Sequence, residues 1–195
     1  MHYKKFYFII TLAFFALGFV NIHLALSGIL CMSLPLILLV KNRKKTWCQS
    51  YCPRASLYTA LGKMKKHSRK TPRFFTHGKL KWIVLIYFFT SLFIIIMSTI
   101  GVAKGRIPAM EYLRFLIFLP LPFEMPQLIR LEEVLPWITH LSYRFYSMMM
   151  TTTVLGLLLA VLYKPRSWCT VCPIATVSDL YLNSARRDAC TKAKQ

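Results

Sequence analysis

The sequence predicts an all-α integral membrane protein with four transmembrane helices and both termini on the cytoplasmic side. Three observations carry that expectation: apolar runs of spanning length, basic residues gathered on one side of those runs, and a mean hydropathy of +0.47 with 56% of 195 residues hydrophobic. Pro and Gly are too sparse for a fibrous or disordered chain, and the length suits a single domain over 1–195.

Crossing about 30 Å of hydrocarbon takes roughly 20 helical residues. The first two runs, 6–21 and 22–40, sit near the short end of that range and read as a tight hairpin turning at Asn21, Ile22 and His23. Lys4 and Lys5 precede the pair, and Lys41, Arg43, Lys44 and Lys45 follow it. Pro35 predicts a kink in the second helix. The third run, 82–103, carries no charge, and a fourth, 146–163, closes the set. A cytoplasmic loop 41–81, an outer loop 104–144 and a cytoplasmic tail 164–195 connect and follow them.

Lys and Arg accumulate on the cytoplasmic face of membrane proteins. Here 21 of 26 fall on one side, leaving a formal charge of about +19 inside and +1 outside. A net charge of +20 would suit a nucleic-acid surface if it lay on a soluble domain. Placed beside the spans, it follows from the positive-inside rule and attraction to anionic lipid, so no nucleic-acid partner is expected. A cleavable signal peptide is the competing reading of the N-terminus. No small-x-small site precedes Asn21 and the next run follows at once, so the first helix is expected to stay, in a bacterial-type inner membrane.

Two stretches repeat one pattern: "TWCQSYCPRASLY" at 46–58 and "SWCTVCPIATVSDLY" at 167–181. The topology puts both at the cytoplasmic ends of helices two and four, so Cys48, Cys52, Cys169 and Cys172 make one site of four thiols. That number suits a [4Fe-4S] or [2Fe-2S] cluster or a tetrahedral zinc ion. It also suits two disulfides, as in membrane thiol oxidants, although paired cysteines in a reducing compartment more often bind metal. A proline after a ligating cysteine belongs to ferredoxin-type runs, and Pro53 and Pro173 can each open a helix. Cys52 and Cys172 would then meet free N–H groups and the positive end of a helix dipole, with Lys45, Arg54 and Arg166 nearby. Zinc thiolates would gain equally, so electrostatics does not choose between zinc and cluster.

These paired Cys-Pro motifs at transmembrane helix ends resemble the NapH/NosR-type membrane polyferredoxin-like proteins, which include quinol-dehydrogenase subunits and the related oxidase-assembly protein CcoG. The resemblance covers most of the membrane core and implies an iron-sulfur electron carrier between the quinone pool and a partner. It implies Cys48, Cys52, Cys169 and Cys172 as cluster ligands. The chain reads as a short form: its second pair is Cys-x2-Cys-Pro, and it contains no Cys-x2-Cys-x2-Cys-x3-Cys-Pro run.

Trp47 and Trp168, each beside a cysteine, could shield the cluster from water, whereas Trp82 and Trp137 fit interfacial anchors. Cys31 reads as a small hydrophobe inside helix two and Cys190 as a free thiol in the tail. His23 and His140 fall on the outer face as candidates for a quinone head group or a haem, and His67 and His77 read as solvated. The outer stretch "YLRFLIFLPLPFEMP" is too short and proline-broken to span, so a re-entrant or interfacial segment is expected, and "IRLEEVLPWITHL" could lie on the membrane with Glu132 and Glu133 facing water. The basic stretch 62–82 could also dock an acidic ferredoxin or flavodoxin.

No nucleophile elbow, phosphate-binding glycine loop or paired-carboxylate site occurs. The expected role is therefore an electron-transfer subunit holding one iron-sulfur cluster, [4Fe-4S], with a zinc-stabilised scaffold or a thiol-disulfide protein as alternatives. Such a site would clamp helix two to helix four.

Overall fold

The computed structural model describes residues 6–63, 78–110, 112–116, 119–120, 127–128 and 134–192. Helix α1 (Phe8–Val20) ends where Asn21 turns extended at φ −152°, ψ 125°. The Asn21 side chain accepts the His23 N–H at 2.9 Å, which caps a 3-10 turn, Ile22–Leu26, leading directly into α2 (Ser27–Asn42). The hairpin predicted at these residues is therefore present. Its first arm is shorter than expected: 13 residues rise about 20 Å, less than the hydrocarbon thickness.

Among the described residues, three helical segments are long and apolar enough to cross a membrane: Ile22–Asn42, α4 (Lys79–Ala103) and α5 (Pro136–Leu162). The run expected at 146–163 thus begins at Pro136, with the proline in the first helical turn where its missing N–H costs nothing. Its front half, "PWITHLSYRF", is too polar to stand out as an apolar run. Burial explains why it is helical: His140, Ser142 and Tyr143 face protein and are 2%, 0% and 6% exposed. The outward-facing hydrophobic side chains on α1, α2 and α4, Leu30, Ile37, Ile86 and Phe93 among them, match a lipid environment.

Part of the expected outer loop folds back along α5. The Met110 N–H donates to His140 Nδ1 at 3.1 Å, Arg114 N–H to Ser147 Oγ at 3.1 Å, and Leu116 N–H to Thr151 Oγ1 at 3.3 Å. From His140 to Thr151 is about 16 Å of helix, so this segment descends to the middle of α5, in keeping with a re-entrant course. It turns there through a short antiparallel pair, Arg114–Phe115 (β1) with Leu119–Pro120 (β2). Glu132 and Glu133 lie outside the described residues, as do His67, His77 and most of the basic loop; nothing is described of the Cys190 side chain.

Among the described residues, two buried clusters hold the bundle. One joins the hairpin, the descending segment and α5 through Ile22, Ala25, Met110, Leu113, Tyr143 and Tyr146. The other, at the opposite end of α5, joins Tyr58, Ala160, Trp168 and Val171. Glycine permits the closest approaches: a Cβ on Gly18 would lie 2.2 Å from the Tyr146 ring, and one on Gly156 2.2 Å from the Tyr58 hydroxyl.

Candidate metal centre

Each cysteine motif is a short turn followed by a helix that starts at proline. In the first, the Cys52 N–H donates to the Trp47 carbonyl at 3.0 Å, closing a π-type turn over Trp47–Tyr51, and α3 runs Pro53–Lys63. In the second, α6 (Ser167–Val171) carries Trp168 and Cys169, and α7 runs Pro173–Lys192. Cys52 and Cys172 are extended at φ −66°, ψ 111° and φ −58°, ψ 130°, as steric conflict with the following proline ring demands. Their carbonyls accept the first bonds of the new helices, from the Ser56 N–H at 3.2 Å and the Thr176 N–H at 3.0 Å. Both cysteines therefore cap helix N-termini, as the sequence suggested. At Cys172 the backbone N–H groups of Ala175 and Ile174 also point to the sulfur.

The four thiols meet. Cys48, Cys52, Cys169 and Cys172 line one chamber of about 90 Å³, with Trp47 and Trp168 among its walls. Besides the motif residues themselves, its lining draws on the middle of all three spanning segments: Met32 and Pro35, Phe88, then Met148, Met149 and Thr152. The sequence places the thiols at helix ends, at the membrane boundary. In the structure both motif segments turn back between the spans and carry the cysteines into the bundle, while the prolines send α3 and α7 out again.

The surroundings are apolar, and the thiols respond. Burial, together with the neighbouring Cys172 and Cys52, pushes Cys48 up to about 12; burial, with Cys52 and Cys172, pushes Cys169 up to about 12. Cys172 is raised by burial against the opposing pull of its two N–H donors and Arg54. Cys48, Cys169 and Cys172 thus resist ionisation mainly through burial and partly because other thiols are close. A bound cation reverses that balance, since thiolates crowded in an apolar chamber are stable only around positive metal.

The chamber has room for a group larger than one ion. Zinc binds four sulfurs at about 2.3 Å and needs no void between them. A volume of about 90 Å³ is several times the ~10–15 Å³ that one water needs. Among the described residues, no group of three or more His, Cys, Asp or Glu side chains is set around a single ion. The four-thiol, apolar, N–H-lined chamber fits the larger iron-sulfur group.

The remaining predicted site residues lie elsewhere. His140 accepts from Met110 at Nδ1 and pairs with Ser98 through Nε2 at 3.1 Å. His23 pairs with Asn21 at 2.8 Å and Thr139 at 3.2 Å. Both rings therefore tie the hairpin and the descending segment to the bundle, and neither lines the chamber. Sequence reasoning named Arg54 only as a nearby cation, read Cys31 as core, and missed Tyr58. Arg54 donates to Thr152 Oγ1 at 3.0 Å and to the Met149 sulfur. Tyr58 is 1% exposed, seated against Gly156, and burial raises its phenol. Cys31, expected to be plain core, is on the chamber wall. The available signal was a cation directly after a Cys-Pro step that re-enters an apolar bundle, since an ionisable residue at membrane depth is there for a reason.

The fold and site define a helical membrane protein with one four-thiol chamber among its spans. A family model described as a 4Fe-4S binding domain matches residues 24–72 and 146–187, consistent with a 4Fe-4S ferredoxin-like protein. The matched stretches take in both Cys-Pro motifs: the first covers α2 and α3, and the second runs from within α5 into α7. No curated protein and no solved structure matches the chain. The family match supports an iron-sulfur cluster and an electron-transfer role.

Proposed function

We propose that the chain is a membrane-embedded electron carrier holding one [4Fe-4S] cluster on Cys48, Cys52, Cys169 and Cys172, and that it relays single electrons between the quinone pool and a redox partner. The observation that carries this reading is the convergence of both Cys-Pro repeats on one chamber with room for more than a lone ion. When bound, the cluster supplies one-electron storage with little rearrangement. The chain does the rest. Cys52 and Cys172 sit at helix N-termini, where N–H groups and the dipole favour electron-rich sulfur. Trp47 and Trp168 limit water, and Arg54 places a cation beside the site.

The charge asymmetry orients both termini and the motif ends of the spans toward the cytoplasm of a bacterial-type inner membrane. There the excess of Lys and Arg suits an acidic soluble donor of the ferredoxin or flavodoxin kind, or partner subunits. The NapH/NosR resemblance agrees with such a relay. The ligands also clamp the two repeats together, so loss of metal loosens the bundle.

Anaerobic purification in detergent, followed by iron, sulfide and zinc analysis with EPR before and after dithionite, tests the proposal. About four iron and four sulfide per chain, with visible absorption that bleaches on reduction and is lost in Cys169→Ser, is the expected result. A colourless protein with one zinc would make the motifs a structural clamp instead.

A further inference from the structure

The chamber shares a wall with a larger cavity of about 350 Å³, bounded by α1 and by parts of α2, α3 and α5. Cys31, Pro53, Arg54 and Met149 line both spaces. The cavity is walled mainly by apolar side chains such as Phe14 and Phe15. Ile10 and Leu17 are part of its lining and are 53% and 45% exposed, so its mouth lies on the lipid-facing side of α1.

Three polar side chains interrupt this apolar lining: Thr11, Ser27 and Arg54. Thr11 is 5% exposed, and its hydroxyl has no hydrogen-bond partner among the described residues. A buried hydroxyl left unpaired is uncommon and calls for a partner. Arg54 spends two of its five N–H donors on Thr152 and Met149, which hold the guanidinium at the boundary between the two spaces. Donors at the inner end of an apolar pocket with a lipid-side mouth define their ligand. It must reach the site through the bilayer, be largely hydrocarbon or aromatic, and carry an oxygen that accepts hydrogen bonds.

We propose that this cavity binds a bilayer-dissolved small molecule with a carbonyl-type head, the chemistry of a quinone, and that the head lies between Thr11 and Arg54 against the chamber wall. The volume is that of an ordinary ligand pocket, about 300–1,000 Å³. This moves quinone recognition from His23 and His140, whose rings are engaged by protein, to the hairpin's inner face. Any redox coupling to the cysteines rests on the electron-carrier reading above; the binding site itself does not.

The test is equilibrium titration of the intact detergent-solubilised protein with a heptyl-hydroxyquinoline N-oxide, a fluorescent quinone mimic, with iron and EPR measured on the same samples. Saturable binding at one site per chain is expected. Thr11→Val keeps the shape and removes the hydroxyl, so affinity should fall about five- to tenfold, the loss of one hydrogen bond. Its ligand-free thermal midpoint should hold or rise, because an unpaired buried group has gone; a merely structural threonine would show lower stability with unchanged affinity. Ala13→Phe, at an exposed position on the cavity wall, should fill the space and abolish binding without disturbing the core. Absence of saturable binding, equal affinity in all three proteins, or a retained phospholipid that the probe cannot displace would overturn the proposal. Iron-loaded protein that fails to bind would refute the site and leave the electron carrier standing; binding by iron-free protein would do the reverse.

Discussion

Gly156→Ala is the sharpest probe of how packing positions the ligands. The added Cβ would lie 2.2 Å from the Tyr58 hydroxyl, 2.4 Å from Cζ and 3.0 Å from Cε1. Ordinary contact needs more than 3.4 Å, so the ring must retreat by roughly 1 Å. Tyr58 is 1% exposed, enclosed by Ala160, Trp168 and Val171, and its hydroxyl donates to the Thr152 carbonyl at 3.5 Å. It cannot swing aside, so α3 must move as a body. Cys52 caps the start of that helix and would move with it. Overpacking of this kind costs about 1–3 kcal/mol, against which alanine's helix propensity returns at most about 1 kcal/mol. At the middle of that cost range the net loss is about 1–2 kcal/mol, which for a chain of this size lowers the thermal midpoint by roughly 2–8 °C. Iron bound per chain should fall with it. Tyr58→Leu in the Gly156→Ala background makes room for the Cβ, so the pair should lose less than the sum of the single changes. Unchanged midpoint and iron content in Gly156→Ala would refute the claim that this contact sets the chamber.

Three further outcomes are expected. Arg54→Leu should lower the reduction potential in an EPR-monitored titration by tens of millivolts, because a cation facing the site favours the more negative form and about 59 mV corresponds to 1.4 kcal/mol for one electron. In the metal-free protein, Cys48 and Cys169 should alkylate slowly near neutral pH and about tenfold faster per pH unit up to about 12. Since the folded values lie above the ordinary 9.0, the stability they contribute is fully present below about 9 and is lost as pH rises toward 12, which a thermal scan against pH would show. His140→Ala should destabilise by about 1–3 kcal/mol, because it leaves the buried Met110 N–H without its acceptor, while electron transfer in the surviving folded protein stays unchanged. A loss of quinone-dependent reduction at full stability would restore the histidine as a head-group ligand.

The repeated Trp-Cys…Cys-Pro stretches carried the four candidate ligands, the helix starts at Pro53 and Pro173, and the N-cap positions of Cys52 and Cys172. Each follows from chemistry that acts between near neighbours: proline fixes its own φ, restricts the residue before it and opens a helix. The membrane class and the hairpin at Asn21 were equally legible, because hydrocarbon thickness acts on contiguous runs. Tertiary structure decided what depends on distant partners. Helix α5 begins at Pro136 because His140, Ser142 and Tyr143 find protein rather than lipid, which apolar-run counting cannot register. The depth of the cysteine chamber follows from α3 lying against α5, an approach that Gly156 permits only when Tyr58 arrives from the other repeat. Arg54 and Cys31 become wall residues for the same reason. Covalent geometry and solvent act on a segment by itself, whereas a chamber exists only once segments about 120 residues apart have packed.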